Sequence, residues 1–423
     1  MTWVRVAAAA ALLLILLAVF SFVLRVPAGS IAVVESGPAG TAPTVLQPGL
    51  HLRMPGNRVS LYSSGEETAT GEVMVTPSSG GEVPLRYDVK ARLDPDHVAQ
   101  IHAAMSGRPF PEFLQAQAGA MLRKMASGVQ AVDLLTPAFR EKAGSQIAAA
   151  MSRGGLADAE VEVGPPDDET LMAAAQYLAS RGEASMIRET VSERLLSPDG
   201  SRSWRVHTAM GYINESEKRL LDAERSYLDA LAIEPTALAP MAQLVTLYSA
   251  VQDWFTLLRV LDAALTARPD SPQHLTWAAM VMTRQGDLAG AERMLNRGLE
   301  ADPDNATLMT NLGALKIKTG HPDEAIELLR KAVDMSPDSQ QTLFNLGSAL
   351  AAEDRPAEAL PFLERAAAAG PMNAPLARTL GMVLQKTGDA PRGAGYLKQA
   401  EALEAARPRP PAPARGGAPP GGA

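Results

Sequence analysis

Five prolines, Pro235, Pro269, Pro303, Pro337 and Pro371, stand 34 residues apart in a chain of 423. The chain holds 32 prolines in all, so five at one fixed interval are not an accident of composition. A constant interval of this length requires one supersecondary unit repeated in space. Other columns keep the same period. The unit from Ala306 carries Leu312, Gly313, Gly320, Ala325, Leu329 and Ala332. The unit from Gln340 carries Leu346, Gly347, Ala359, Leu363 and Ala366. The unit from Pro272 carries Ala278, Ala279, Gly286, Ala291, Leu295 and Gly298. Further units begin at Trp204 and Leu238, and a sixth begins at Ala374 without a closing proline. These columns predict helical hairpins. Small residues such as Gly313 and Ala325 let paired helices approach, and Leu312 and Leu329 fill the layer between pairs. Gly286, Gly320 and Gly388 suit a left-handed turn after the first helix, and each proline ends the second. One hairpin cannot bury its apolar face alone, so the units must stack, and the sixth serves as a cap.

Spacing and columns resemble the tetratricopeptide repeat, over residues 204–407. That resemblance implies an all-α solenoid whose concave face is lined by the first helix of each hairpin. It also implies a groove for a protein or peptide ligand. The positions that touch ligand in relatives fall here on Tyr212, Gln273, Thr276, Trp277, Arg284, Asn311, Lys318, Phe344, Asn345 and Lys386. Arg284, Lys318 and Lys386 would give the groove a cationic side, matched to a peptide of acidic or carboxylate character. Asn311 and Asn345 stand where that family often has asparagine, so they either bind ligand or only follow the repeat pattern.

At the other end of the chain, residues 6–24 carry no charge and one polar side chain, Ser21. As a helix this run would span about 28 Å, close to the apolar thickness of a bilayer. Residues 1–25 are therefore expected to form a single transmembrane anchor. Val26-Pro27-Ala28 also fits a signal-peptidase site, which would leave a secreted protein. Arg5 and Arg25 flank the run and give little orientation bias. The free amino terminus favours the cytoplasm, placing the remainder outside it, at a bacterial inner membrane.

Residues 26–164 read as a small α+β domain. SIAVVES, LHLRMP and GEVMVTP are strand-like, and in EVPLRYDVKARL residues Val83, Leu85, Tyr87, Val89 and Ala91 share one face. Helical patterns cover 95–106, 110–126 and 136–153, with Asp94 and Thr136 as N-caps, and AEVEVG closes the segment as a strand. Pro27, Gly29, Pro48, Gly49, Leu50, His51 and Pro55 follow in order the pattern of the band 7, or SPFH, domain of prohibitin, stomatin and flotillin relatives. The resemblance implies localisation or clustering at a membrane and self-association through the domain. In that family a long coiled coil continues the chain and builds rings. No sustained heptad region follows here, so the ring is not implied. Residues 165–203 are expected to be a helical bridge or cap.

Composition excludes more than it assigns. There is no cysteine, which removes disulfides, thiolate metal sites and thiol catalysis. A net charge of −8 argues against nucleic acid as a partner. Asp302-Pro303-Asp304-Asn305 begins like a calcium loop but lacks its glycine and late glutamate. Gly37-Pro38-Ala39-Gly40 is not followed by Gly-Lys-Ser/Thr. His97 and His102 are read as surface residues. No catalytic set, metal site or cofactor motif emerges. The tail, residues 408–423, is proline, glycine, alanine and arginine, and is read as a disordered linker. The expected protein is a non-enzymatic, membrane-anchored scaffold that recruits partners through its groove. The prohibitin resemblance implies an alternative, an accessory subunit of a membrane protease.

Overall fold

The computed structural model describes residues 23–36, 43–54 and 56–406. The chain divides into two compact units, one ending at Glu234 and the other beginning at Pro235.

The first unit opens with strands. β1 (Val23–Val26) pairs antiparallel with β4 (Gly49–Leu52). β2 (Ser30–Glu35) lies between β3 (Thr44–Leu46) and β5 (Arg58–Ser63). A third sheet has the order β6 (Glu66–Val75), β7 (Val83–Leu93), β8 (Leu156–Val163), all antiparallel. Helices α1 (Val98–Met105), α2 (Phe110–Ala126), α3 (Ala131–Leu134) and α4 (Pro137–Arg153) separate β7 from β8. α2 packs on β6 and α4 on β8. The alternation of β7 places Leu85, Tyr87, Val89 and Ala91 in the core with Leu114, Leu122 and Ile147. Leu, Phe and Ile from two helices thus cover one face of the sheet, while Arg86, Lys90 and Arg92 pair with acids on the other.

Several expectations need correction. The apolar run 6–24 lies outside the described residues except for Val23 and Leu24, which begin β1 rather than end a helix. No helix among the described residues is long and apolar enough to cross a membrane. The tail 408–423 also lies outside them. Thr136 caps α4, accepting from the Phe139 amide, but Asp94 caps nothing; its carboxylate bonds the Asp96 amide and His97 Nδ1. His102 is not a surface residue: its side chain is 11% exposed. Its Nδ1 lies 2.5 Å from Tyr62 Oη and its Nε2 3.2 Å from Glu35, so it joins α1 to strands β5 and β2.

The first unit ends in α5 (Asp168–Arg181), α6 (Arg188–Leu196), α7 (Trp204–Ser216) and α8 (Leu220–Ile233). α7 packs against α5 and α6 as well as α8. Arg188 ties this bundle together, donating to both carboxylate oxygens of Glu217 and to Asn214.

The second unit is helical throughout its described residues. Its hairpins are α9 (Leu238–Val251) with α10 (Trp254–Ala267), and α11 (Pro272–Gln285) with α12 (Leu288–Ala301). Then follow α13 (Ala306–Lys318) with α14 (Pro322–Met335), and α15 (Gln340–Ala352) with α16 (Pro356–Ala369). α17 (Ala374–Lys386) with α18 (Ala390–Ala405) completes the series. The turn column is left-handed throughout: Gly286, Gly320 and Gly388 have φ of 88°, 82° and 98°. Lys218, Gln252 and Asp354 hold the same column at 65°, 58° and 53° without being glycine. The packing column is equally tight. A Cβ on Gly313 would stand 2.7 Å from Leu329, and one on Gly347 2.6 Å from Leu363. Val245 occupies that column in the α9–α10 hairpin, which is the most loosely packed of the helical pairs.

Candidate partner-binding groove

α11 and α13 are first helices of consecutive hairpins, so residues 34 apart fall side by side. Trp277 therefore matches Asn311, and Arg284 matches Lys318. Within each helix these residues are seven apart, two turns along one face. Together they line a cleft of about 550 Å³. Thr276, Met280 and Thr283 complete the α11 side, and Ala314 and Leu315 the α13 side.

The electrostatics of this cleft differ from its surroundings. Lys316, two residues from Lys318, bridges Glu292 at 2.8 Å and Glu324 at 2.7 Å, and those hydrogen bonds hold its pKa up. Lys318 has no carboxylate partner among the described residues; its Nζ reaches only the Thr283 carbonyl, at 3.4 Å. Arg284 is exposed and forms no ion pair among the described residues. The Asn311 carboxamide is likewise unbonded among them. The cleft thus offers two uncompensated cations and a free amide beside an indole and a thioether. Such a surface can hold an anionic group on a segment that also presents an apolar side chain.

The other expected groove residues are placed differently. Tyr212 sits in the first unit, 5% exposed, with its ring edge-on to Tyr227 of α8 at 6.0 Å. It is a core residue, because Gly211 beside it admits the Tyr227 ring against the α7 backbone. Asn345 is buried and accepts from Gln341 Nε2 at 2.8 Å. Phe344 is half-buried against the core of the last three hairpins. Lys386 is exposed but bound to Asp354 at 2.7 Å. The expected cationic side is therefore confined to Arg284 and Lys318. Sequence reading passed over His274, which lies under Trp277; a histidine in a column filled by Val206, Leu308 and Leu376 was the available signal.

A folded sheet-and-helix domain ahead of helical hairpins defines the class, and sequence comparison supplies the families. Residues 24–194 match the SPFH domain / Band 7 family, and residues 258–306 and 310–374 match the tetratricopeptide repeat. The chain carries an SPFH/Band 7 domain followed by tetratricopeptide repeats. The first match runs past residue 164 to include α5 and most of α6. No curated protein matches the chain. Among solved structures, a tetratricopeptide repeat protein from Parabacteroides merdae is 17% identical, covering 56% of this chain and 93% of its own, with a TM-score of 0.44. PilF of Pseudomonas aeruginosa is 17% identical, covering 49% and 94%, with a TM-score of 0.42. YrrB, described as a TPR protein with an unusual peptide-binding site, is 21% identical, covering 43% and 94%, with a TM-score of 0.33. The two families together point to protein–protein interaction through the repeats and a scaffold role for the SPFH domain.

Proposed function

We propose that this chain is a non-enzymatic, membrane-held scaffold that captures a protein partner in the cleft between α11 and α13. The observation that carries the reading is the pair of uncompensated cations, Arg284 and Lys318, beside Trp277 and Met280 in one cleft. The partner segment would place a carboxylate against the cations and an apolar side chain against the indole. The SPFH domain would localise or cluster the molecule. Membrane attachment is supported by the uncharged run 6–24 and by the strand that follows it. In and just after β4, Leu50, Leu52 and Met54 are 72%, 84% and 69% exposed, and Leu52 is paired with Val23 at the end of that run. A row of exposed apolar residues so close to an apolar segment suits a lipid surface better than water. The expected address is a bacterial inner membrane with the soluble part outside the cytoplasm.

The test is photo-crosslinking in native membranes, with a photoreactive amino acid at Thr276 of the full-length chain. Arg284→Glu with Lys318→Glu should remove the crosslinked partner while leaving the melting temperature unchanged. Undiminished crosslinking by that double variant would sink the reading.

A further inference from the structure

The column that holds His274 carries Val206, Pro240, Leu308, Thr342 and Leu376 in the other units, none of them titratable. His274 is 1% exposed. Its Nδ1 lies 2.7 Å from Ser271 Oγ. Its Nε2 is fully buried with no hydrogen-bond partner among the described residues. A buried polar atom without a partner is costly, and neither tautomer of the ring relieves it. Ser271 stands in the column just ahead of the first helix of each hairpin. Asn305, Ser339 and Asn373 use their side chains to cap the helix amide three residues on. Ser271, like Ser203, makes no such bond, and its hydroxyl pairs with His274 Nδ1. Ser271 and the pocket around it therefore hold a titratable ring where four other units place valine, proline or leucine. The imidazole they hold stands edge-on to Trp277, with ring centroids 5.6 Å apart.

We propose that neutral His274 positions Trp277 for partner capture, and that proton uptake by this histidine loosens the cleft. The inference rests on the groove reading above. An imidazolium would carry a second N–H with no acceptor, at a nitrogen that water does not reach. The Ser271 hydroxyl could satisfy only the Nδ1 side. Among the described residues Arg268, just beyond α10, is the charged group that acts on the ring, and it repels a second cation. Burial, and then Arg268, pull the imidazole below the ordinary histidine value of 6.5. The charged ring would leave its pocket, and the indole would lose the neighbour that fixes its edge. The cleft would thus be competent at neutral pH and slack in acid.

The full-length chain labelled with 5-fluorotryptophan reports this directly, the Trp277 signal being identified with Trp277→Phe. Between about pH 8 and about pH 5 that signal should shift with a midpoint below 6.5. In His274→Asn, which keeps a partner for Ser271 without the titration, it should not shift. His274→Leu, restoring the residue of other units, provides a second non-titrating variant should the asparagine not fold. A fluorescent peptide of alternating leucine and glutamate serves as the groove probe. Its affinity should fall about tenfold across the same range in the native chain. The substituted chain shares the peptide's own glutamate titration but should lack that fall. A Trp277 signal indifferent to pH, or one that still titrates in both variants, overturns the proposal. A titrating signal with no peptide binding at any pH overturns the groove reading and the claim on affinity, while the His274–Trp277 coupling stands.

Discussion

Lys316 and Lys318 have nearly the same address in α13 and opposite circumstances. One is clamped between Glu292 and Glu324, the other reaches no carboxylate among the described residues. Lys316→Ala should therefore lower the melting temperature and leave crosslinking from Thr276 intact. Lys318→Ala should leave the melt unchanged and weaken crosslinking; the reverse pattern would exchange their roles. His274 carries a pH prediction of definite sign. Its folded value is lowered, so its contribution is intact above the unfolded value of 6.5 and is lost as pH falls below it. His274→Leu should flatten that acid loss and add about 1–2 kcal/mol at neutral pH, read by denaturant titration, because it removes an unpartnered buried nitrogen. Side-chain depth was the part least legible in the sequence. The columns named Trp277, Arg284, Asn311 and Lys318, which do share a cleft. The same columns named Tyr212 and Asn345, which are buried. A column fixes direction around a helix, but depth depends on the size of the residue opposite, and the glycine at 211 draws Tyr227 and Tyr212 together.

Helix and hairpin positions were legible because proline and glycine act locally. The second helices end at Ile233, Ala267, Ala301, Met335 and Ala369, just before the spaced prolines. The strands were less so. β5 was not read as a strand, and β6 extends back to Glu66 through residues with no clear alternation. Pairing with β7, distant in sequence, sets its length. The turn column yields a prediction. Gln252 and Asp354 hold a left-handed backbone without being glycine, so Gln252→Gly and Asp354→Gly should each stabilise by about 0.5–1 kcal/mol. Equal or lower stability in both would overturn that account; the Asp354–Lys386 pair, exposed on both sides, is too weak to offset the backbone term. The packing column gives the converse. Gly313→Val should cost about 1–3 kcal/mol in chemical denaturation, since the new Cβ would stand 2.7 Å from Leu329.

At the scale of the molecule, the six hairpins read as one uninterrupted array, yet the compact units divide after the first of them. The repeat columns are blind to this. The difference lies in α5 and α6, which follow no 34-residue pattern but pack on α7 and draw the first hairpin into the SPFH-containing unit. The membrane reading is also tested at this scale, and the absence of cysteine makes single reporters clean. In proteoliposomes, fluorophores on Leu12→Cys and on Leu52→Cys should both be quenched by brominated lipid. Quenching at the first alone would keep the anchor and lift β4 off the surface. Quenching at neither would end the membrane reading.

The valine at 245 bears on how the second unit comes apart. In a stack of repeats, stability is nearly a sum of neighbour terms, so opening starts where one term is smallest. The α9–α10 pair has the largest residue in its packing column and the loosest contact. Its backbone amides should exchange with solvent deuterium ahead of those in the hairpins from α11 to α18. Val251 and Phe255, 72% and 75% exposed at its tip, would then be the first apolar surface the array offers to a chaperone or a protease.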